Sequence, residues 1–193
     1  MTLQRIDVAG IAPQPWKNGA GSTREIAVSP PGMGSGDFDW RLSIARIHDD
    51  APFSRYDGVD RCIALLAGAG MTLRLAGGRA HRLGPGSEPF RFDGEAEVAA
   101  HLDDGPCDDF NVMVRRGRWR AQVTMLTGEA RFQPAGAGLL LAITGDWQCR
   151  PAHGTLGPMQ AWLWREGLPA TVASPLASST PRALFVRLQA TPR

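Results

Sequence analysis

The chain is predicted to be all-β, a sandwich or barrel of short strands, on three observations. Period-two runs of β-branched, aromatic and aliphatic residues recur along its 193 residues, and such alternation marks strands with one buried face. Twenty-three glycines and fifteen prolines punctuate those runs, and no window sustains a 3.6-residue apolar period, so tight turns rather than long helices connect the elements. A weak internal repeat is the third. Leu65-Leu66-Ala67-Gly68-Ala69-Gly70, Leu83-Gly84-Pro85-Gly86, Phe90-Arg91-Phe92 and Gly94 are echoed by Leu140-Leu141-Ala142-Ile143-Thr144-Gly145, Leu156-Gly157-Pro158, Trp162-Leu163-Trp164 and Gly167. The offset is 73 residues at both the Leu-Gly-Pro and the closing glycine, and the aromatic pair slips by one. Each copy reads as hairpin, turn, strand. The expected arrangement is one unit over 1–193 made of two stacked β-barrel halves, about 1–105 and 106–193, with the break near Gly105 to Asp109.

The clearest strand runs from Asp39 to Ile47, where Trp40, Leu42 and Ile44 take one face and Arg41, Ser43 and Ala45 the other. Similar runs are Arg61 to Ala67, Met71 to Leu75, Phe110 to Arg115, Trp119 to Leu126, Leu139 to Thr144, Gln160 to Trp164 and Ala183 to Gln189. The stretch Glu95 to Leu102 reads equally as a short helix or a strand. Ser174 to Pro181 reads as an exposed connector before a last strand that returns to close a sheet.

Composition excludes several functions. Basic residues exceed acidic ones by only two, 21 against 19, and they are scattered, so no nucleic-acid or membrane footprint is present. The dense stretch Arg115-Arg116-Gly117-Arg118-Trp119-Arg120 reads as a solvated turn between strands. No charged leader precedes an apolar run, and no stretch approaches a membrane span, which makes a cytoplasmic location the expectation. Cys62, Cys107 and Cys149 are odd in number and widely spaced, without a CxxC pair, and read as small buried hydrophobes.

The segment Pro15-Trp16-Lys17-Asn18-Gly19-Ala20-Gly21-Ser22-Thr23-Arg24-Glu25-Ile26 places an aromatic ring, a cation, an amide, glycines and hydroxyls just before a strand-like run. Loops of this kind carry ligand contacts, and they also make plain turns with a packed tryptophan. The lysine precedes the glycines, so the phosphate-loop spacing is absent. No Gly-x-Ser-x-Gly elbow is present, and no cysteine can be paired with a histidine. What remains is a polar set: Lys17, Asn18, Arg41, Ser43, Arg61, Asp109 and Asn111. Arg41 and Ser43 share a strand face, and Arg61 opens the first repeat, delivered from the loop Phe53-Ser54-Arg55-Tyr56-Asp57-Gly58-Val59-Asp60. A guanidinium presents forked donors matched to a carboxylate.

The succession of strand, Gly-Ala-Gly turn, strand and Pro85-Gly86 before an aromatic strand resembles the double-stranded β-helix of cupins. Many cupins hold a metal on a His-x-His pair, a glutamate and a later histidine. This chain has no His-x-His; His48, His81, His101 and His153 are isolated, and Asp57 to Cys62 carries no such ligands. No metal and no cofactor are expected.

A more specific resemblance spans about residues 3 to 190. Pro15-Trp16-Lys17-Asn18-Gly19 with Gly21, Thr23 and Glu25, Phe38-Asp39-Trp40-Arg41-Leu42-Ser43-Ile44-Ala45, Pro52-Phe53-Ser54-Arg55-Tyr56 with Gly58 and Asp60-Arg61, and Asp109-Phe110-Asn111-Val112-Met113 resemble the HutD/Ves family in that order. Ala20 departs from the pattern, which has a second glycine there. The resemblance implies a bicupin-like, RmlC-type fold without the usual metal ligands. It also implies a link either to histidine utilisation, as a regulator or sensor of a small acid such as N-formylglutamate, or to stress responses. By motif position the pocket would be built from Trp16, Lys17, Asn18, Arg41, Ser43, Phe53 and Arg61, with Asp109 and Asn111 at its floor.

The expected function is therefore binding of a formylglutamate-like acid: Arg61 on a carboxylate, Asn18 and Ser43 on an amide or formyl group, Trp16 and Phe53 on the apolar side. Two alternatives stand beside it. One is a metal-free isomerase or hydrolase with Glu25, Asp109 or Lys17 as general base; the other is an interaction module with a vestigial pocket. A homodimer is compatible with each.

Overall fold

The computed structural model describes residues 3–33, 36–133, 135–150, 154–177 and 180–192. In chain order its first strands are β1 (Leu3–Asp7), β2 (Gln14–Pro15), β3 (Gly21–Ser29), β4 (Trp40–Ile47), β5 (Ala51–Pro52), β6 (Val59–Ala67), β7 (Met71–Leu75), β8 (Ala80–Leu83), β9 (Phe90–Asp93), β10 (Val98–Leu102) and β11 (Cys107–Arg115). There follow β12 (Trp119–Leu126), β13 (Ala130–Phe132), β14 (Ala137–Thr144), β15 (Trp147–Arg150), β16 (Gly154–Leu156), β17 (Gln160–Trp164), β18 (Thr171–Pro175) and β19 (Arg182–Ala190). Among the described residues the helical content is a single 3-10 turn at Ala76–Gly78. No helix there is long and apolar enough to cross a membrane, which says nothing of spans by strands.

Three predicted strands, Met71–Leu75, Trp119–Leu126 and Gln160–Trp164, coincide with β7, β12 and β17. The ambiguous Glu95 to Leu102 stretch contains β10, which pairs with β7 and buries Val98 and Ala100. Two expectations are corrected. Ser174 and Pro175 do not belong to a connector: they close β18, paired with Gln148 and Trp147 of β15. Of that connector, Ser178 and Ser179 lie outside the described residues, as does His153.

The break placed near Gly105 to Asp109 is corrected as well. The chain divides into two compact units, one over Ile11–Trp119, the other formed by the segment up to Gly10 together with the chain from Arg120 onward. The physical reason is β11, whose Asp108 and Asp109 already pair with both β4 and β6 in the first unit.

The first unit has two sheets, in the orders β2-β3-β4-β11-β6-β9 and β5-β10-β7-β8. The second has β1-β17-β14-β19-β12 and β13-β18-β15-β16. Shifting labels β4 to β11 by eight maps one pattern on the other: β6 with β9 and β11 becomes β14 with β17 and β19, and β7 with β8 and β10 becomes β15 with β16 and β18. The 73-residue sequence repeat is thus a repeat of topology. Both units are cupin-like double-stranded β-helices. The last strand, β19, lies inside its sheet between β14 and β12 rather than at an edge.

The interior of the first unit joins Ile47, Ile63, Leu65, Phe92 and Cys107 from the larger sheet to Met71, Leu73, Leu83, Val98 and Ala100 from the smaller. The second unit is filled by Leu140, Trp147, Leu156, Trp164 and Phe185. There Gly138 leaves no room for a side chain: an added Cβ would meet the Val186 carbonyl and lie 2.5 Å from the Trp164 indole ring. The remaining void beside Trp164 is about 10 Å³, no more than a single water needs. The first unit is not filled in this way, and the open volume is where the predicted residues gather.

Candidate binding pocket in the first unit

Strand register builds the pocket. Side chains two apart on a strand share a face, and antiparallel pairing sets them in rows across the sheet. One row is Arg41, Met113, Arg61 and Phe92, from β4, β11, β6 and β9. The next is Glu25, Ser43, Asn111 and Ile63, and a third is Thr23, Ala45, Asp109 and Leu65. A bulge between Glu25 and Ala27 keeps Glu25 and Thr23 in these rows. Ile63 and Leu65 turn into the apolar interior, whereas the polar part of the same face lines a cavity of about 670 Å³. That volume suits a small molecule.

All nine predicted residues line this cavity: Trp16, Lys17, Asn18, Arg41, Ser43, Phe53, Arg61, Asp109 and Asn111. The sequence reading missed Thr23, Ala45, Ser54, Tyr56 and Met113, which line it too. Ala45 and Met113 follow Ser43 and Asn111 at period two, and Tyr56 shares a loop with Phe53, so the alternation already noted on these stretches marks them.

The opening loop is a tight hairpin end. Trp16 N donates to Gly21 O at 2.8 Å and Gly19 N to Trp16 O at 3.0 Å, with Gly19 at φ 73°, a conformation that favours glycine. Asn18 Oδ1 accepts from Ala20 N at 3.1 Å, an Asx turn that commits its oxygen and leaves its amide donors. Gly21 is needed for a different reason: a Cβ there would sit 2.5 Å from Arg46 O and 3.1 Å from the Trp16 ring. The indole lies against the backbone and is held by its Nε1 donating to Thr23 Oγ1 at 2.8 Å. Lys17 and Asn18 are exposed at the rim. Ala20, at the position where the family pattern has glycine, is buried, and its carbonyl accepts from His48 N at 2.8 Å.

The floor centres on Arg61, which is only 6% exposed. Its guanidinium stacks among Phe92, Phe53 and Tyr56, with 4.8, 5.1 and 5.8 Å to the ring centroids. Nη1 donates to Ser54 O at 3.2 Å and Nη2 to Asn111 Oδ1 at 2.7 Å, while Nε has no partner. No described carboxylate forms an ion pair with it, and burial lowers its pKa to about 10. Asn111 Nδ2 donates to Asp109 Oδ1, and Asp109 Oδ2 is buried without a partner. Asp109 is fully buried, and burial outweighs the attraction of Arg61 to push its carboxyl up to about 7.

Arg41 donates from Nε to Glu25 Oε2 at 2.7 Å. Glu25 does not line the cavity, so among the three candidate bases Asp109 and Lys17 remain on its wall. The donor set does not fit a cupin metal. Asp109 is the one carboxylate of the lining and no histidine or cysteine belongs to it, and among the described residues no three His, Cys, Asp or Glu side chains converge. The three cysteines are buried free thiols, with Cys62 and Cys149 pushed up to about 11 by burial. The basic stretch is the turn between β11 and β12, and two of its arginines are paired with carboxylates. Arg116 meets Asp60, Asp93 and Glu95, and Arg118 meets Asp39.

Comparison with known proteins agrees with the fold and with the family resemblance. The HutD family model matches residues 9–178. Protein Ves of Cronobacter sakazakii is 40% identical over 171 residues, covering 86% of this chain and 88% of its own. An uncharacterised 21.2 kDa protein in the hutC 3′ region of Pseudomonas putida is 37% identical over 139 residues, 72% of each chain. The structure of HutD from Pseudomonas fluorescens SBW25 superposes with a TM-score of 0.85 at 30% identity over 99% of this chain and 100% of its own. Oxalate decarboxylase of Bacillus subtilis, 8% identical, matches with a TM-score of 0.63 over 95% of this chain and 76% of its own, and shows the fold alone. On its sequence, its fold and the order of its motifs, the chain belongs to the HutD/Ves family.

Proposed function

We propose that this protein is a cytoplasmic binding protein, a regulator or sensor in histidine utilisation whose first-unit cavity holds a small carboxylate such as N-formylglutamate. One observation carries the reading: Arg61 is a buried cation with no carboxylate partner, beside a cavity of ligand size. Five N–H donors belong to a guanidinium and only two are engaged here. A ligand carboxylate supplies both the missing charge and the missing acceptors, an interaction of about 1.5–3 kcal/mol. Trp16 and Phe53 offer apolar walls, and Ser43 with the amide of Asn18 offers polar contacts for an amide or formyl group. The relative in the hutC 3′ region and the HutD name of the structural match support the histidine-utilisation context.

Calorimetry of wild type and Arg61→Ala with N-formylglutamate tests the reading. Wild type binds, and the variant binds at least about tenfold more weakly. Equal affinities, or no binding by either protein, would overturn it.

A second reading has its own observation. Asp109, held near neutrality by burial, has the proton affinity of a general base, so a metal-free isomerase or hydrolase would use it rather than Glu25. Turnover of N-formyl- or formimino-glutamate that vanishes in Asp109→Asn would favour the enzyme. Inactivity of the wild type across such acids leaves binding.

A further inference from the structure

We propose that the pocket takes up a proton together with its carboxylate ligand, and that the proton settles on Oδ2 of Asp109. The inference rests on the small-carboxylate reading above and adds a linked second species, the proton. Its basis is the order of groups in the floor. Arg61 has no acceptor, so the side-chain oxygen of Asn111 must face the guanidinium, as it does at 2.7 Å. The Asn111 amide nitrogen must then face Asp109, and Asp109 Oδ1 must stay an acceptor. Oδ2, buried and unpartnered, is the one atom of these three side chains that can take up a proton without breaking either bond.

A ligand carboxylate at Arg61 brings a second negative charge into a floor that has one unpaired cation. Two carboxylates close together in a water-poor site do not both remain ionised. Asp109 is the one that yields, because Asn111 stands between it and Arg61, while the ligand meets the guanidinium itself.

The charged neighbours leave this assignment standing. On its own strand Asp108 is held by Arg46 at 3.2 Å, and the Cys107 thiol is raised by burial. From β4 the small Ala45 faces it, with Arg41 two rows away held by Glu25 at 2.7 Å. From β6 it meets uncharged Leu65, with Arg61 in the row beyond Asn111. From β3 Thr23 ends the row, Lys17 lies out at the exposed rim, and Tyr56 stacks on Arg61. Burial also holds the free carboxyl near pH 7, so both protonation forms exist in the unliganded protein near neutrality.

The sign follows. Below pH 7 Asp109 already holds its proton and affinity is flat. Above pH 7 the proton has to be acquired on binding, so affinity falls, approaching tenfold for each pH unit. The carboxylates of N-formylglutamate are ionised throughout this range, so the proton comes from the buffer.

Titration calorimetry with N-formylglutamate at pH 8, in phosphate and in Tris, is the test. Wild type gives binding enthalpies that differ between the buffers by an amount corresponding to nearly one proton taken up per ligand. Asp109→Asn, a neutral isostere, binds at least as tightly at pH 8, with equal enthalpies in the two buffers. Wild-type binding with no buffer dependence, or the same proton count in both proteins, overturns the proposal and leaves the small-carboxylate reading intact. Failure of N-formylglutamate to bind either protein removes that reading and the proposal with it.

Discussion

Arg61 donates its 2.7 Å hydrogen bond to Asn111, not to Asp109 two residues along the same strand, and so the buried cation and the buried acid are neighbours without being an ion pair. A direct pair would have satisfied both charges internally. With an amide interposed, burial raises one group and lowers the other, and each keeps unfilled hydrogen-bonding capacity.

The first consequence concerns what Arg61 contributes to stability. Removing a buried cation relieves desolvation, while Asn111 Oδ1 and Ser54 O lose a donor. Arg61→Met keeps a flexible apolar chain among Phe53, Tyr56 and Phe92. The variant is expected to lose no more than about 2 kcal/mol in urea melts while binding the carboxylate at least about tenfold more weakly. A loss above about 4 kcal/mol would instead identify Arg61 as the pin of the 53–58 loop.

Asp109 makes stability depend on pH in an unusual direction for an aspartate. Its carboxyl sits at about 7 in the folded chain against 3.8 in the ordinary state. Between those values the folded protein keeps a proton that the unfolded chain has released, so this group's contribution falls as pH rises from about 4 to 7 and is constant above. Asp109→Asn removes the slope. Urea melts should show the two proteins equal near pH 3, and the variant more stable at pH 8, by at most about 4 kcal/mol. Parallel curves across that range would mean that Asp109 is ionised in the folded protein.

Much of this floor was legible from alternation. Arg41 and Ser43 share a face because β4 is regular, and Asp109 and Asn111 follow the same rule on β11, so loop motif and strand motifs converge once the strands pair. What alternation does not carry is register: nothing in Asp109-Phe110-Asn111 says that Asn111 lies level with Ser43 and Ile63, or that Arg61 lies level with Met113. The unit boundary was misplaced for a related reason. Gly105 to Asp109 looks like a linker in composition, yet its last residues enter the central ladder, because β11 is needed between β4 and β6. Glu25 carries a base's carboxylate, and only the cross-strand bond from Arg41 shows that it is engaged elsewhere.

The two hairpin glycines should separate strain from space. Gly19 has positive φ with nothing within 4 Å of an added Cβ, so Gly19→Ala costs about 1 kcal/mol, from backbone alone. Gly21→Ala drives a methyl into Arg46 O and the Trp16 ring, with a cost of about 1–3 kcal/mol and a displaced indole. Binding of N-formylglutamate should therefore weaken in Gly21→Ala and hold within about twofold in Gly19→Ala. Equal effects of both on binding would show that the Trp16 ring is not part of the site.

The second unit repeats the topology with Trp164 in its interior, where the void beside the ring is about 10 Å³. That ring is 2% exposed, stacks with Phe185 at 6.0 Å between centroids and occupies the space beside Gly138. Trp164→Ala leaves an apolar hole, at a cost of about 3–5 kcal/mol. An apolar hole of that size stays dry and accepts an aromatic guest. Indole should therefore raise the melting temperature of Trp164→Ala and leave that of wild type unchanged. Affinity for N-formylglutamate should be the same in both proteins, because every lining residue of the carboxylate cavity belongs to the first unit. A loss of binding in Trp164→Ala at temperatures where the variant remains folded would show that the two units do not act independently.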